Sequence, residues 1–107
     1  MKYIITESQN KVMQILRRVT SSDWILIQEI VDEGVDLDDP CDFRDEESYL
    51  ERVINDSTRT YLFHYYDNER ERGYSELFIF VKDLIVKMMG DDVLEYYNEK
   101  KEDCEEF

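Results

Sequence analysis

Apolar residues recur along this chain at the three- and four-residue intervals of amphipathic helices. Val12, Met13, Ile15, Leu16 and Val19 form the first such stripe. Thr6-Glu7-Ser8-Gln9 precedes it with the Thr-x-x-Gln spacing of a capping box, in which each end side chain satisfies a backbone N–H of the first turn. A helix from about Thr6 to Thr20 follows. Ser21-Ser22-Asp23 then supplies a break and a new N-cap. Trp24, Ile27, Ile30 and Val31 continue on one helical stripe towards Gly34, read here as a C-terminal stop. Trp24-Ile25-Leu26-Ile27 is also rich in strand formers, so a strand over 24–31 is the competing reading.

From Asp32 to Glu47 the apolar pattern lapses into nine carboxylates and one arginine around Pro40, which predicts an acidic connecting loop over 32–47. Asp45 is placed to cap the next helix, whose first-turn acids suit the positive end of the helix dipole. Tyr49, Leu50, Val53, Ile54, Ser57 and Tyr61 keep helical spacing, and one helix over about 45–67 is predicted, although 58–66 has strand propensity. After the polar stretch Asn68–Gly73, Ser75 caps a segment carrying Leu77, Phe78, Val81, Leu84, Ile85, Met88 and Met89. This segment is apolar over most of its circumference and is assigned to the centre of the bundle. Gly90 with Asp91-Asp92 reads as a stop and restart, followed by a short helix through Val93, Leu94 and Tyr97 and a charged tail, 99–107, that frays. The sum is an all-α fold, a compact bundle of four to five helices in a single domain over 1–107, without internal repeats.

Composition agrees with that class. A chain of 107 residues with 42% hydrophobic content buries enough surface to fold without a metal or partner. Three Gly and one Pro leave few turns for a many-stranded sandwich. Charge narrows the function classes: 27 acids against 13 bases give a net −14, which repels phosphate backbones and anionic membranes alike. No direct nucleic-acid or membrane binding is expected, since the bases lie scattered along the sequence. The opening Met1-Lys2-Tyr3-Ile4-Ile5 is too short for a signal-peptide core, so export by that route is not expected.

Candidate chemistry is sparse. His64 is the only histidine and lies among aromatics in Tyr61-Leu62-Phe63-His64-Tyr65-Tyr66, which reads as structural. No nucleophile motif and no phosphate-cradling glycine loop is present in the sequence, so no enzyme, catalytic residue or cofactor is assigned. An EF-hand register from Asp36 places Asp38, Asp42 and Glu47 at ligand positions. It fails at Pro40 and at Cys41, which stands where the sharp turn needs Gly, so no metal is assigned. Cys41 and Cys104 lack the spacing of a metal knuckle or redox motif and are read as free thiols, a disulfide between them being the alternative. Eight tyrosines are the notable excess. In Tyr65-Tyr66 and Tyr96-Tyr97 the adjacent rings point about 100° apart on a helix, so one of each pair faces the core and the other outward. The outward rings suit a partner-binding or self-association face. Met88-Met89 reads as core filler.

The first nine residues, Met1-Lys2-Tyr3-Ile4-Ile5-Thr6-Glu7-Ser8-Gln9, resemble the start of small uncharacterised proteins of tailed bacteriophages. Pro40-Cys41-Asp42-Phe43 before a long helix is similar in style to some of them. The resemblance implies a context, a phage product in the bacterial cytoplasm or in a virion, and no site residues.

The expected role is therefore a non-enzymatic protein–protein interaction with a host or phage protein. The candidate contacts are Tyr65, Tyr66, Tyr96 and Tyr97, together with the loop acids Asp36, Asp38, Asp39 and Asp42. The alternative is an acidic mimic of DNA that inhibits a host nucleic-acid-binding or defence protein. A mimic requires carboxylates along an elongated face, which here needs folding to align the acidic loop with the C-terminal tail.

Overall fold

A computed structural model describes residues 7–104, with side chains from Gln9 onward. Four helices follow in order: α1 (Glu7–Val19), α2 (Trp24–Leu37), α3 (Glu46–Leu62) and α4 (Tyr74–Cys104), with a 3-10 turn at Pro40–Asp42. No strand occurs among the described residues, so segments 24–31 and 58–62 are helical and the strand readings fall. The capping box begins at Thr6, outside the described residues.

Helices α2, α3 and α4 run alternately up and down. The start of α3 meets the end of α4, where the Tyr49 and Tyr97 rings stand 5.2 Å apart. The chain just beyond α3 meets the start of α4, where Phe63 stacks on Tyr74 at 6.0 Å. α2 packs on α3 in the opposite sense, with Asp23 against Tyr61 at one end and Val35 against Tyr49 at the other. α1 lies along the first half of α4. Val12 abuts Gly73, and Thr20 shares a notch with Leu84 and Met88. The core runs the length of this arrangement through Ile15 and Val19, Ile27 and Val31, Val53, Ile54 and Leu62, and Leu77, Val81 and Ile85. Each fully buried aliphatic side chain contributes about 1.5–3 kcal/mol relative to exposure.

Four boundaries differ from those the sequence predicts, each for a local reason. Gly34 does not stop α2, which continues to Leu37. Its missing side chain is used for close approach to α3, since a Cβ there would stand 3.2 Å from Ser57 Oγ. The acidic loop therefore shrinks: Asp32–Leu37 is helix, Pro40–Asp42 is the 3-10 turn, and Glu46 already begins α3. Asp45 caps α3 as predicted, accepting from Ser48 N at 2.8 Å, and this bond holds its carboxyl below the ordinary range. α3 ends at Leu62 rather than 67, because the backbone tightens into a turn in which Tyr65 N and Tyr66 N both donate to Leu62 O at 2.9 Å.

The fourth difference is α4, which passes through Gly90 without a break and continues to Cys104. The expected short fifth helix and the frayed segment 99–104 are parts of it; residues 105–107 lie outside the described residues. A Cβ on Gly90 would meet only Val86 Cγ1 at 3.6 Å, an ordinary contact, so this glycine marks neither a turn nor a crossing. Leu77, Val81, Ile85, Met89, Val93 and Tyr97 follow at four-residue steps, and all but the half-buried Met89 are buried. Each step advances about 40° beyond a full turn, so the stripe winds about 200° around the helix from end to end. One helix thus faces α1 at its start and the 3-10 turn at its end, which explains why the sequence shows it as apolar nearly all round.

Candidate functional site

The end of α4 is fastened to the segment between α2 and α3 by several bonds. Tyr97 OH and Lys101 Nζ both donate to Phe43 O, at 3.1 and 2.6 Å. Asn98 Nδ2 donates to Glu46 at 3.4 Å. Cys41 and Cys104 form a disulfide, with Cα atoms 5.7 Å apart and a sequence separation of 63. The free-thiol reading is therefore corrected. The pairing depends on the unbroken run of α4 past Gly90, which the local sequence pattern conceals.

Local sequence sets the turn that presents Cys41. Pro40 forces Asp39 into an extended conformation (φ −80°, ψ 118°) and opens the 3-10 helix from its first position. Asp39 Oδ1 accepts from Cys41 N at 2.9 Å, closing the turn. Asp39, Cys41 and Cys104 come together so that a carboxylate oxygen and the two sulfurs all lie within 4.8 Å of one another. Beside them a surface hollow of about 400 Å³ is lined by Asp36, Asp38, Asp39, Tyr96, Lys100 and Asp103, among others. Partial burial and the nearby Asp56 carboxylate raise the Asp38 carboxyl above its ordinary range.

This junction redistributes the chain's charge. Residues 29–56 carry twelve acids against two bases and residues 91–104 six against two, so these two stretches hold a net −14, equal to the charge of the whole chain. Both stretches lie at the same end of the helical array, the end where α2 finishes, α3 begins and α4 finishes. At the other end, residues 7–28 carry two acids and three bases, and residues 57–90 five of each. The bases stay scattered, Arg44, Arg52, Lys100 and Lys101 among the acids, but the excess of acids is gathered, so the described residues form one acidic pole and one near-neutral pole.

The predicted contact residues divide accordingly. Asp36, Asp38, Asp39 and Tyr96 line the one hollow, and the exposed Asp42 lies in the adjoining 3-10 turn. Tyr97 is buried and bonded to Phe43 O beneath them, so it supports the surface without belonging to it. Tyr65 and Tyr66 lie at the near-neutral pole, away from these acids. Tyr66 is buried against Tyr74, with ring centroids 5.8 Å apart, and Tyr65 is half-buried. One ring of each adjacent pair does face the core; the helical angle accounts for this in Tyr96-Tyr97, whereas Tyr65-Tyr66 lies in the turn beyond α3, where that angle does not apply.

A polar knot at the near-neutral pole escapes sequence reading. Asp23 does not cap α2 with its side chain. Its Oδ2 instead accepts from Tyr61 OH at 2.8 Å and from Tyr65 OH, and Arg18 Nη1 donates to Tyr65 OH at 3.3 Å. Burial and the Asp23 bond push the Tyr61 hydroxyl far above its ordinary range, so it remains a donor. His64, three residues on, is exposed and outside this knot. Met88 is 58% exposed rather than core filler, and with Thr20, Trp24 and Leu84 it lines a shallow apolar notch of about 220 Å³.

No family model matches the chain, and no curated protein or solved structure matches it either. The description that fold and surface support is an all-α protein with its charge gathered at one cross-linked pole. Among the described residues no helix is long and apolar enough to cross a membrane.

Proposed function

We propose that the protein acts without catalysis by binding another protein, and that the acidic pole is the contact surface. One observation carries this reading: residues 29–56 and 91–104, which together hold a net −14, meet at the end of the array where Asp36, Asp38, Asp39 and Tyr96 line one hollow beside the end of α4, with Asp42 in the adjoining turn. Such a pole attracts a partner surface rich in Lys and Arg and raises the rate of encounter. Tyr96 offers apolar area with a hydroxyl that tolerates water, as binding surfaces favour. The N-terminal resemblance supports a phage accessory or virion component with a host or phage partner. The disulfide favours the virion over a reducing cytoplasm as the place where this form persists.

The DNA-mimic reading has an observation of its own in support. Residues 91–104 of α4 rise about 21 Å, so a net −14 at this pole amounts to one charge per about 1.5 Å, against about 1.7 Å for duplex DNA. The disulfide holds the Pro40–Asp42 turn to the end of α4, which supports this reading. The partner surface would then be one built to hold a phosphate backbone.

Affinity capture from bacterial cells with wild type and with Asp36→Asn, Asp38→Asn, Asp39→Asn and Asp103→Asn combined tests the proposal. A partner held by the wild type and lost by the variant is the expected result. A partner that both forms retain equally would remove the pole from the interface, and one that is itself a nucleic-acid-binding protein would select the mimic reading.

A further inference from the structure

The disulfide occupies a position that also has the composition of a metal site. We propose that, once reduced, Cys41, Cys104 and Asp39 together hold a thiophilic divalent cation of the zinc class. This does not rest on the binding role above.

Two thiolates and a carboxylate are three of the four donors of a tetrahedral zinc site, and the fourth position is commonly water. The three donor atoms already lie within 4.8 Å of one another. Two sulfurs at about 2.3 Å from a tetrahedral ion stand about 3.8 Å apart, so opening from a bond to shared ligation requires a small side-chain rotation. A Cα separation of 5.7 Å accommodates either state without moving the backbone. Asp39 is preorganised, because its Oδ1 is held by Cys41 N at 2.9 Å, and that partner orients the ligand as outer-shell bonds do in metal sites. The hollow beside the three residues gives access, and its Asp36, Asp38 and Asp103 carboxylates favour entry of a dication. Thiolate donors select zinc-class ions over Ca²⁺ or Mg²⁺, which take oxygen ligands.

The chemistry balances with a dithiol as reductant. Its thiolate attacks Sγ of Cys41, the more exposed of the two residues, and the Sγ–Sγ bond breaks with Cys104 leaving as thiolate. The second thiol of the reductant then displaces Cys41 and closes its own disulfide, so two electrons and two protons pass to the chain. Binding M²⁺ to the two thiols releases two protons to solvent. The ion then spans the same two points as the disulfide, keeping loop and α4 joined in a reducing compartment.

Co²⁺ is the probe, added to the full chain before and after reduction with a phosphine, which takes its oxygen from water and offers no competing thiol. The reduced chain is expected to bind one equivalent with a thiolate-to-cobalt charge-transfer band and tetrahedral ligand-field bands, both bleached by Zn²⁺. The oxidised chain should show neither. Asp39→Asn keeps the acceptor for Cys41 N but weakens the ligand, and affinity should fall by about tenfold or more, since even outer-shell losses cost 10–100-fold. A reduced wild type without the thiolate band overturns the proposal on its own, with no variant needed. Equal affinity of Asp39→Asn and wild type overturns the role of the carboxylate.

Discussion

Asp23 shows how a single side chain can be redirected by tertiary structure. Its position after Ser21-Ser22 marks it as an N-cap, yet its carboxylate leaves the backbone and receives two tyrosine hydroxyls from beyond the start of α2. Tyr61 is fully buried, so its hydroxyl has no water to fall back on. Asp23→Ala should therefore cost about 1–3 kcal/mol, the penalty of an orphaned buried donor, and more than Tyr61→Phe, which removes the donor itself. Denaturant unfolding of the two variants decides the order. The glycines separate in the same way. Gly73 sits at φ 89°, and a Cβ there would come within 2.5 Å of Val12 Cγ2, so Gly73→Ala should destabilise by more than 1 kcal/mol through strain and clash. Gly90→Ala should do the opposite, raising stability by about 0.5–1 kcal/mol, because it adds helix propensity and its Cβ meets only an ordinary contact with Val86 Cγ1 at 3.6 Å. A shift of both melting temperatures in one direction would contradict this assignment of roles.

At the level of elements, what was legible in the sequence was whatever depends on neighbours in sequence. The stripes Val12–Val19 and Tyr49–Tyr61 gave their helices, Asp45 gave its cap, and Tyr96-Tyr97 gave its division between core and surface, whereas the helix expected to carry Tyr65-Tyr66 ends before them. Gly34 and Gly90 misled, because a glycine that permits close packing or merely sits in a helix has the same letter as one that ends it. The site was half legible. Asp36, Asp38, Asp39, Asp42 and Tyr96 do lie together, but Tyr65 and Tyr66 are at the opposite pole. The Cys41–Cys104 pairing was illegible for a physical reason, since it becomes visible only when α4 is read as a single helix. That bond closes a loop of 63 residues and should contribute about 4 kcal/mol by restricting the unfolded chain. Cys104→Ser, unfolded beside oxidised wild type, is expected to lose most of that. A loss below about 1 kcal/mol would mean that Lys101 and Tyr97 hold α4 in place unaided.

For the molecule as a whole, the consequence of these local choices is polarity of charge. Alternating helix directions bring residues 29–56 beside residues 91–104, and the disulfide fixes them there. Self-repulsion among so many carboxylates at one end weakens the fold, so a feature with that cost calls for a use. The proposed binding to a basic surface would offset the repulsion by supplying the missing counter-charge. On the proposed reading the near-neutral pole, with its Asp23 knot and the notch at Trp24 and Met88, is left the part of holding the array together.

The most direct test of this account is the salt dependence of the complex formed with the captured partner. For wild type the affinity should fall by about tenfold or more between about 50 and 200 mM salt, and the slope should flatten when Asp36, Asp38, Asp39 and Asp103 are made Asn. A wild-type affinity that does not respond to salt, or a slope that the four substitutions leave unchanged, would contradict the claim that the acidic pole is where this protein binds.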